Sequence, residues 1–362
     1  MHKTDTPEHG VVSRRSLLQK LLLAAAALPA FAAVGAEAAL KSVTDQALIK
    51  PPRLKIGDLI GLIAPAGVMT DDKIQNAVKK LESIGFKVKV GANIRAAHGG
   101  YAGTVRERLD DFHTAFTDKD VKGVWVARGG SGANGLLPGI QYDVVRTHAK
   151  VLVGYSDVTA LHLALYRMAG LVTFHGPVAG SAMPEYALKH VLAILTEPQP
   201  RYTINMAEEN AAKAVELPHF ALQTLREGVA EGRLIGGNLS VLMALVGTPY
   251  AAEIRDKLLF LEDVSEPSYK VDRMLHQLDQ NQSLSQAAGV MLGVFTKSES
   301  RDNEASLPML DVFSQHLGQL KSPSVYGYSF GHIPHQFTIP VGIRARLDTS
   351  AETLTLLESA VV

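Results

Sequence analysis

The 362-residue sequence predicts an α/β protein whose core is a parallel β-sheet with helices on both faces. Two observations support this fold class. Short apolar runs alternate with amphipathic stretches from residue 59 onward, and the first run, residues 59–64, contains no polar side chain, as in a buried strand. Strands that alternate with helices form crossover units, in which the strands are parallel and the helices cover the sheet.

The elements of the first half follow one another in a regular order. Pro65 and Gly67 stop the first strand, and residues 71–84 have helical spacing, with Ile74 and Leu81 on one apolar face. The rest of this half predicts strands at residues 85–90, 121–127, 151–153 and 171–174, and helices at 106–117 and 157–168. The first half therefore predicts a sheet of parallel strands connected by helices.

The composition changes between residues 197 and 233. Three prolines and a polar stretch interrupt the pattern here, so we interpret residues 198–232 as a crossover between two domains. The domains are then residues 50–197 and residues 233–362. The second domain has predicted strands at residues 258–261, 290–295 and 325–328, and predicted helices at 239–246 and 270–278.

The first 38 residues have the features of a cleavable export signal. Arg14 and Arg15 precede an apolar run at residues 21–36, which is shorter than the about 20 residues of a membrane-spanning helix. Ala36 and Ala38 then form an A-x-A cleavage site. The paired arginines favour the twin-arginine route, and an ordinary secretory signal is the alternative. We therefore expect a periplasmic protein without a stable membrane anchor.

The charge balance and the cysteine content exclude several functions. The chain has 36 basic and 36 acidic residues, so no net charge attracts it to nucleic acid. It has no cysteine, which excludes a cysteine nucleophile, a thiolate metal site and disulfides. The remaining candidates for catalysis are serine, histidine and carboxylate side chains.

Two turns after predicted strands contain candidate residues. Gly130, Gly132 and Gly135 satisfy G-x-G-x-x-G, but this turn follows the third strand, whereas a dinucleotide-binding turn follows the first. The turn can instead direct N–H groups toward an anion, or it can be a tight strand-to-helix turn that binds no ligand. After the next strand, Ser156 precedes a helix, which is the position of a nucleophile elbow and also of an ordinary N-cap residue.

Two further candidates lie in the second domain. Glu262 and Asp263 end an apolar strand, where α/β enzymes hold catalytic groups, although a solvated acidic pair is the alternative. His332 lies in a loop with glycine and proline and is either a general base or a loop residue without a role. His332 and His335 form H-x-x-H without the H-E-x-x-H helix of zinc peptidases, so we expect no metal site.

Together these segments resemble the LD-carboxypeptidases, also called muramoyltetrapeptide carboxypeptidases, and their microcin-immunity relatives. The resemblance covers the chain from residue 63 to His332. Its blocks, in the family's order, are Arg128-Gly129-Gly130, Gly154-Tyr155-Ser156-Asp157, His175-Gly176-Pro177, Gly236-Gly237-Asn238-Leu239, Gly247-Thr248-Pro249, Leu261-Glu262-Asp263-Val264, residues 269–275 and Phe330-Gly331-His332. Family members often have Tyr after the two glycines, where this chain has Ser131, which could change substrate specificity.

The resemblance implies a fold and a role for each matching residue. It implies a flavodoxin-like N-terminal domain and a smaller swivelling β/α C-terminal domain, with the active site between them and a homodimer as a common state. It implies a triad of Ser156 as nucleophile, Glu262 as acid and His332 as base. The backbone N–H groups of Gly130 and Asp157 are the implied oxyanion hole, and no metal or organic cofactor is implied.

The reaction implied is release of the terminal D-Ala from a peptidoglycan tetrapeptide through an acyl-enzyme. The substrate is then a muropeptide or the peptidoglycan itself. Three alternatives remain open from the sequence. They are a relative that cleaves other amides, such as peptidyl-adenylate antibiotics, an inactive periplasmic binder of muropeptides, and a dinucleotide-dependent oxidoreductase.

Overall fold

A computed structural model describes residues 48–298 and 306–362. The predicted export signal lies outside these residues. The described chain contains a six-stranded sheet and an eight-stranded sheet. None of the helices within the two described stretches is long and apolar enough to cross a membrane.

The first sheet is built mainly from the N-terminal half. Its strands β1 to β5 are Leu59–Ile63, Lys87–Val90, Val121–Val126, Val151–Gly154 and Thr173–His175. All five are parallel, in the order β2-β1-β3-β4-β5. This is the flavodoxin-like order, which confirms the parallel sheet predicted from the sequence.

Helices connect these strands; three of them were predicted, at residues 71–84, 106–117 and 157–168, and those at 142–147 and 185–196 were not. The helices α1 to α5 are Asp71–Ser83, Val105–Thr117, Tyr142–Thr147, Thr159–Ala164 and Glu185–Thr196. In α1 the residues spaced for one face, Ile74, Ala77 and Leu81, are the buried ones. A capping box of Thr104 and Glu107 begins α2 by satisfying N–H groups of its first turn.

The second sheet comes from the C-terminal half. Its central strands β8 to β11 are parallel and comprise Val229–Asn238, Lys257–Glu262, Gly289–Val294 and Ser324–Gly331. Antiparallel strands flank them: β6 (Tyr202–Asn205), β7 (Gln223–Arg226), β13 (Arg344–Asp348) and β14 (Thr353–Leu356). The helices of this half are α6 (Glu208–Lys213), α7 (Leu239–Ala244), α8 (Ser268–Gln282) and α9 (Met309–Leu317). The two-domain α/β class expected from the resemblance is therefore confirmed.

Two segments contribute strands that the order of the chain does not suggest. Residues 198–232, predicted as a crossover, supply β6 and β7 as the outermost strands of the second sheet. These strands are short and half-exposed, so they lack the apolar runs that identify buried strands. The strand β12, Ile339–Val341, belongs to the C-terminal half of the chain but pairs antiparallel with β5 of the first sheet.

Candidate active site

Ser156 lies at a sharp turn between β4 and α4. Its φ of +65° is in the left-handed region, where a residue with a side chain costs about 1–3 kcal/mol. A one-turn 3₁₀ helix, Ser156–Val158, follows at once, and the residue at its N-cap position is Tyr155. An ordinary N-cap residue has extended backbone and a capping side chain. The geometry therefore favours the nucleophile elbow over the N-cap interpretation.

A glycine-rich turn after β3 lies directly against Ser156. A Cβ atom built on Gly129 would lie 2.9 Å from the Cβ of Ser156 and 3.1 Å from its Oγ. The next residue, Gly130, has a φ of +122°, and a Cβ there would lie 3.0 Å from the Cα of Gly67. Gly67 in turn donates its N–H to the carbonyl oxygen of Gly129 at 3.1 Å. Only glycine permits this close approach of two backbones beside the serine.

Two backbone N–H groups at this position have no hydrogen-bond acceptor within residues 48–298 and 306–362. Neither the N–H of Gly130 nor that of Asp157 donates a hydrogen bond to another atom of the described residues. The turn leads into a 3₁₀ helix, Ala133–Gly139, and not into the α-helix whose N-terminus binds the pyrophosphate of a dinucleotide. The geometry therefore favours two donors beside a hydroxyl over a dinucleotide site.

The side chains of Asp157 and Arg108 hold the glycine turn, a role that the sequence analysis missed. The Asp157 carboxylate accepts the N–H of Ala133 at 2.8 Å. The guanidinium of Arg108 donates to the carbonyl oxygens of Gly132 at 2.9 Å and of Pro65 at 2.8 Å. Burial raises the pKa of Asp157, while the Ala133 N–H and the positive charge of Arg108 oppose that rise. The residue after Ser156 and a side chain of α2 thus together fix the shape of the turn.

Glu262 and His332 are brought together by two parallel strands of the second sheet, β9 and β11, which lie on either side of β10. Glu262 is the last residue of β9, and His332 follows the last residue of β11. The Nδ1 of His332 lies 2.6 Å from the Oε2 of Glu262, whose side chain is fully buried. Gly331 has a φ of +112°, and a Cβ there would lie 3.1 Å from the Cβ of Glu262. Glycine at this position therefore allows the histidine to reach the carboxylate.

The pair shifts the pKa of both of its members. Complete burial alone would raise the pKa of Glu262, but the positive charge of His332 lowers it below its ordinary value. Burial likewise opposes protonation of His332, but the Glu262 carboxylate raises the pKa of that imidazole above its ordinary value. An ionised carboxylate only accepts hydrogen bonds, so Nδ1 of His332 must carry the proton of this contact. The other ring nitrogen, Nε2, is then the basic one.

Tyr155 connects the histidine to the serine turn. Its ring packs on the ring of His332 with a centroid separation of 4.8 Å. Since Tyr155 immediately precedes Ser156, this ring contact places the turn that carries Ser156 next to the pair of His332 and Glu262. A second connection lies behind the site, where the N–H of Asn238 donates to the Thr159 hydroxyl at 2.9 Å.

The histidines of the H-x-x-H motif have separate carboxylate partners. His332 pairs with Glu262, whereas Nε2 of His335 lies 3.8 Å from an Oε1 atom of Glu209. The described residues that cluster closely enough to hold a metal ion are Asp272, His276 and His316. No predicted site residue belongs to that cluster.

Comparison with known proteins decides the family. Residues 60–176 match the family model for the LD-carboxypeptidase N-terminal domain, and residues 231–347 match the model for the C-terminal domain. This chain belongs to the LD-carboxypeptidase family. The resemblance inferred from the eight sequence blocks is therefore confirmed.

The relatives of this LD-carboxypeptidase family member have related names. A probable murein peptide carboxypeptidase of Bacillus subtilis is 37% identical over 304 residues, which are 84% of this chain and 93% of that protein. The muramoyltetrapeptide carboxypeptidase of Oxalobacter formigenes has a TM-score of 0.72 and 31% identity, over 82% of this chain and 97% of that chain. An MccF-like protein of Bacillus anthracis has a TM-score of 0.75 and 30% identity, over 86% and 99%. Membership in this family makes the chain a peptidase.

A buried histidine of this family member, His175, lies beside the pair of His332 and Glu262. The ring of His175 packs 5.4 Å from that of Phe260 and 6.1 Å from that of Tyr155. Neither ring nitrogen bonds to any residue of the described chain. Burial lowers the pKa of His175 to about 4, so the imidazole is neutral at physiological pH. It therefore adds no positive charge to compete with His332 for Glu262.

Proposed function

We propose that this chain is a serine LD-carboxypeptidase that releases the terminal D-Ala from peptidoglycan tetrapeptides. The observation that carries the proposal is the 2.6 Å contact between His332 and the buried Glu262, with the histidine ring packed on the residue before Ser156. The relatives named for murein peptides support the substrate class. Ser156 is the proposed nucleophile, His332 the base and Glu262 the acid.

The proposed chemistry follows from the proton positions. A serine hydroxyl becomes an effective nucleophile when a base takes its proton. Since Glu262 engages Nδ1 of His332, Nε2 accepts the proton of Ser156 and later gives it to the leaving amino group of D-Ala. Glu262 stabilises the imidazolium formed in between. Water then hydrolyses the acyl-enzyme by the same route.

The negative charge of the tetrahedral intermediate also needs donors. The N–H groups of Gly130 and Asp157 flank Ser156 and are not engaged by described atoms, which supports them as the oxyanion hole. The positive φ of Ser156 supports the same arrangement, because strained backbone at a strand-to-helix turn exposes the hydroxyl beside these donors.

The cellular setting forms part of the proposal. The basic and apolar pattern of residues 1–38 supports cleavage and export to the periplasm, with the twin-arginine route favoured by Arg14 and Arg15. An exported enzyme would act on soluble muropeptides or on the cell wall itself. A homodimer is proposed from the resemblance alone.

The test uses the mature chain from Ala39 with purified disaccharide tetrapeptide and mass spectrometry. We expect loss of one alanine residue from the substrate, abolished in Ser156→Ala and retained in Ser83→Ala. Ser83 is an exposed serine at the end of α1, so its substitution controls for handling of the variants. An intact tetrapeptide with folded wild-type protein would refute the D-Ala assignment.

The likeness to an MccF-like protein supports one alternative substrate class, namely other amides. A fluorophosphonate probe separates the possibilities. Labelling of wild type but not of Ser156→Ala, together with an intact tetrapeptide, would indicate a serine peptidase for other amides. Absence of labelling would indicate an inactive binder of muropeptides.

A further inference from the structure

Helices α8 and α9 bring three potential metal ligands together outside the proposed active site. Asp272 and His276 are four residues apart on α8, so their side chains project from the same face of the helix. His316 lies in the last turn of α9, which packs beside α8. One carboxylate oxygen and two imidazole nitrogens all lie within 4.8 Å of one another.

The contacts within this cluster converge on one point. The Nε2 atom of His316 lies 2.8 Å from Oδ1 of Asp272, and Nε2 of His276 lies 3.5 Å from the same oxygen. Ligands around a tetrahedral zinc ion, with bonds of about 2.0–2.1 Å, are separated by about 3.3 Å. Small side-chain rotations would therefore place all three donors at bonding distance from one ion.

A simple ion pair accounts for the cluster less well. One protonated imidazole satisfies the Asp272 oxygen, whereas here two imidazoles are directed at it. The rings of His276 and His316 are only 4.3 Å apart between centroids, so each can present a nitrogen to the same ion beside Asp272. A divalent ion accepts a lone pair from each neutral imidazole and from the carboxylate, so it uses all three side chains.

We propose that Asp272, His276 and His316 bind a divalent transition-metal ion, with zinc as the best match. Two nitrogens and one carboxylate oxygen suit zinc, whereas magnesium and calcium prefer oxygen ligands alone. The side chain of His276 is 62% exposed and that of His316 only 7%. The ion therefore enters from solvent and keeps a water molecule in its fourth position. It ties α8 to α9 and takes no part in the proposed hydrolysis.

The test is calorimetric titration of tag-free mature protein with zinc chloride. We expect one zinc ion per chain and binding at least about tenfold weaker in His276→Gln and in His316→Gln. Loss of a residue that only hydrogen-bonds to a metal ligand already lowers metal affinity about 10–100-fold, and these variants lose a ligand itself. His98→Gln removes an exposed histidine outside the cluster and should bind like wild type. Cobalt in place of zinc should give visible tetrahedral absorption bands in wild type and lose them in His276→Gln.

The variant His276→Gln decides the test, because His276 is exposed and its replacement leaves the buried core unchanged. Equal zinc affinity in wild type and His276→Gln would overturn the proposal, as would the absence of stoichiometric binding in wild type. A further comparison uses His332→Gln. Loss of zinc binding there, with retention in His276→Gln, would place the ion at the catalytic pair and would also overturn the proposal. A rise in Tm with zinc that disappears in His276→Gln would support it.

Discussion

Replacement of Glu262 by Gln tests the proposed triad at its most buried group. The substitution keeps the size of the side chain but removes the charge that faces Nδ1 of His332 at 2.6 Å. The amide also offers a donor where the histidine needs an acceptor, which favours the wrong tautomer of the imidazole. We therefore expect a folded protein with a poor general base.

The size of the effect follows from the geometry of the pair. Charge centres about 4 Å apart at an effective dielectric constant of about 20 interact by about 4 kcal/mol. Since 1.36 kcal/mol corresponds to a tenfold change in rate, loss of this stabilisation lowers kcat/KM about 10³-fold. The pH dependence changes too. Glu262 raises the pKa of His332 and burial lowers it, so without the carboxylate burial dominates and the pKa falls.

The assay measures kcat/KM for D-Ala release across pH. Activity needs neutral His332, so it rises with pH through the pKa of that residue, and this acid limb should move to lower pH in Glu262→Gln. Nuclear magnetic resonance titration of the His332 ring reports the same pKa without any substrate. Glu231→Gln, on a half-exposed strand position, is the matched control. A reduced rate with an unmoved acid limb and an unchanged His332 pKa would refute the reasoning.

Three further predictions follow from the turn and its supports. Ser156→Gly removes the hydroxyl and should abolish activity. Glycine also tolerates the positive φ at this position, so urea titration should show a free energy of unfolding about 1 kcal/mol higher. A stability equal to that of Ser156→Ala would contradict this prediction. Gly129→Ala places a Cβ against Ser156 and should lower kcat about 10²-fold. The control Gly135→Ala adds a Cβ that makes only ordinary contacts, so this variant should keep wild-type kinetics. Equal kcat values in the two variants would contradict this prediction. Thr159→Val leaves the N–H of Asn238 unsatisfied and should cost about 1–3 kcal/mol of unfolding free energy; an unchanged urea midpoint would contradict this.

The parts of the fold that the sequence predicted are those with buried, uniformly apolar strands. Three strands, β1, β3 and β9, are apolar nearly throughout. Each was predicted within one or two residues of its observed bounds. The strands β6 and β7 were missed because they lie at the outer positions of their sheet and every second residue in them is exposed. Residues in such strands carry polar side chains, so composition alone indicates a connection.

The candidate residues could be proposed from the sequence, whereas the contacts that support them could not. Glu262 ends a strand, Ser156 and His332 follow the ends of strands, and each lies in a recognisable sequence block. Nothing in local spacing indicated that Arg108 reaches the glycine turn, because its partners lie 24 and 43 residues away in the sequence. Long-range contacts of this kind depend on the tertiary structure, which a single sequence does not display.

The path of the chain after His332 links the two sheets beside the proposed site. Glu262 and His332 both belong to the second sheet, so their pair forms without any contribution from Ser156. The loop that carries His332 begins at β11 of the second sheet and ends at β12, which pairs with β5 of the first sheet at Ile339 and His175. Both ends of the loop are therefore anchored, one on each sheet. Any swivel of one sheet against the other must strain this loop or break the pairing of β12 with β5. The distance between His332 and Ser156 therefore depends on a strand pairing and not on a flexible linker.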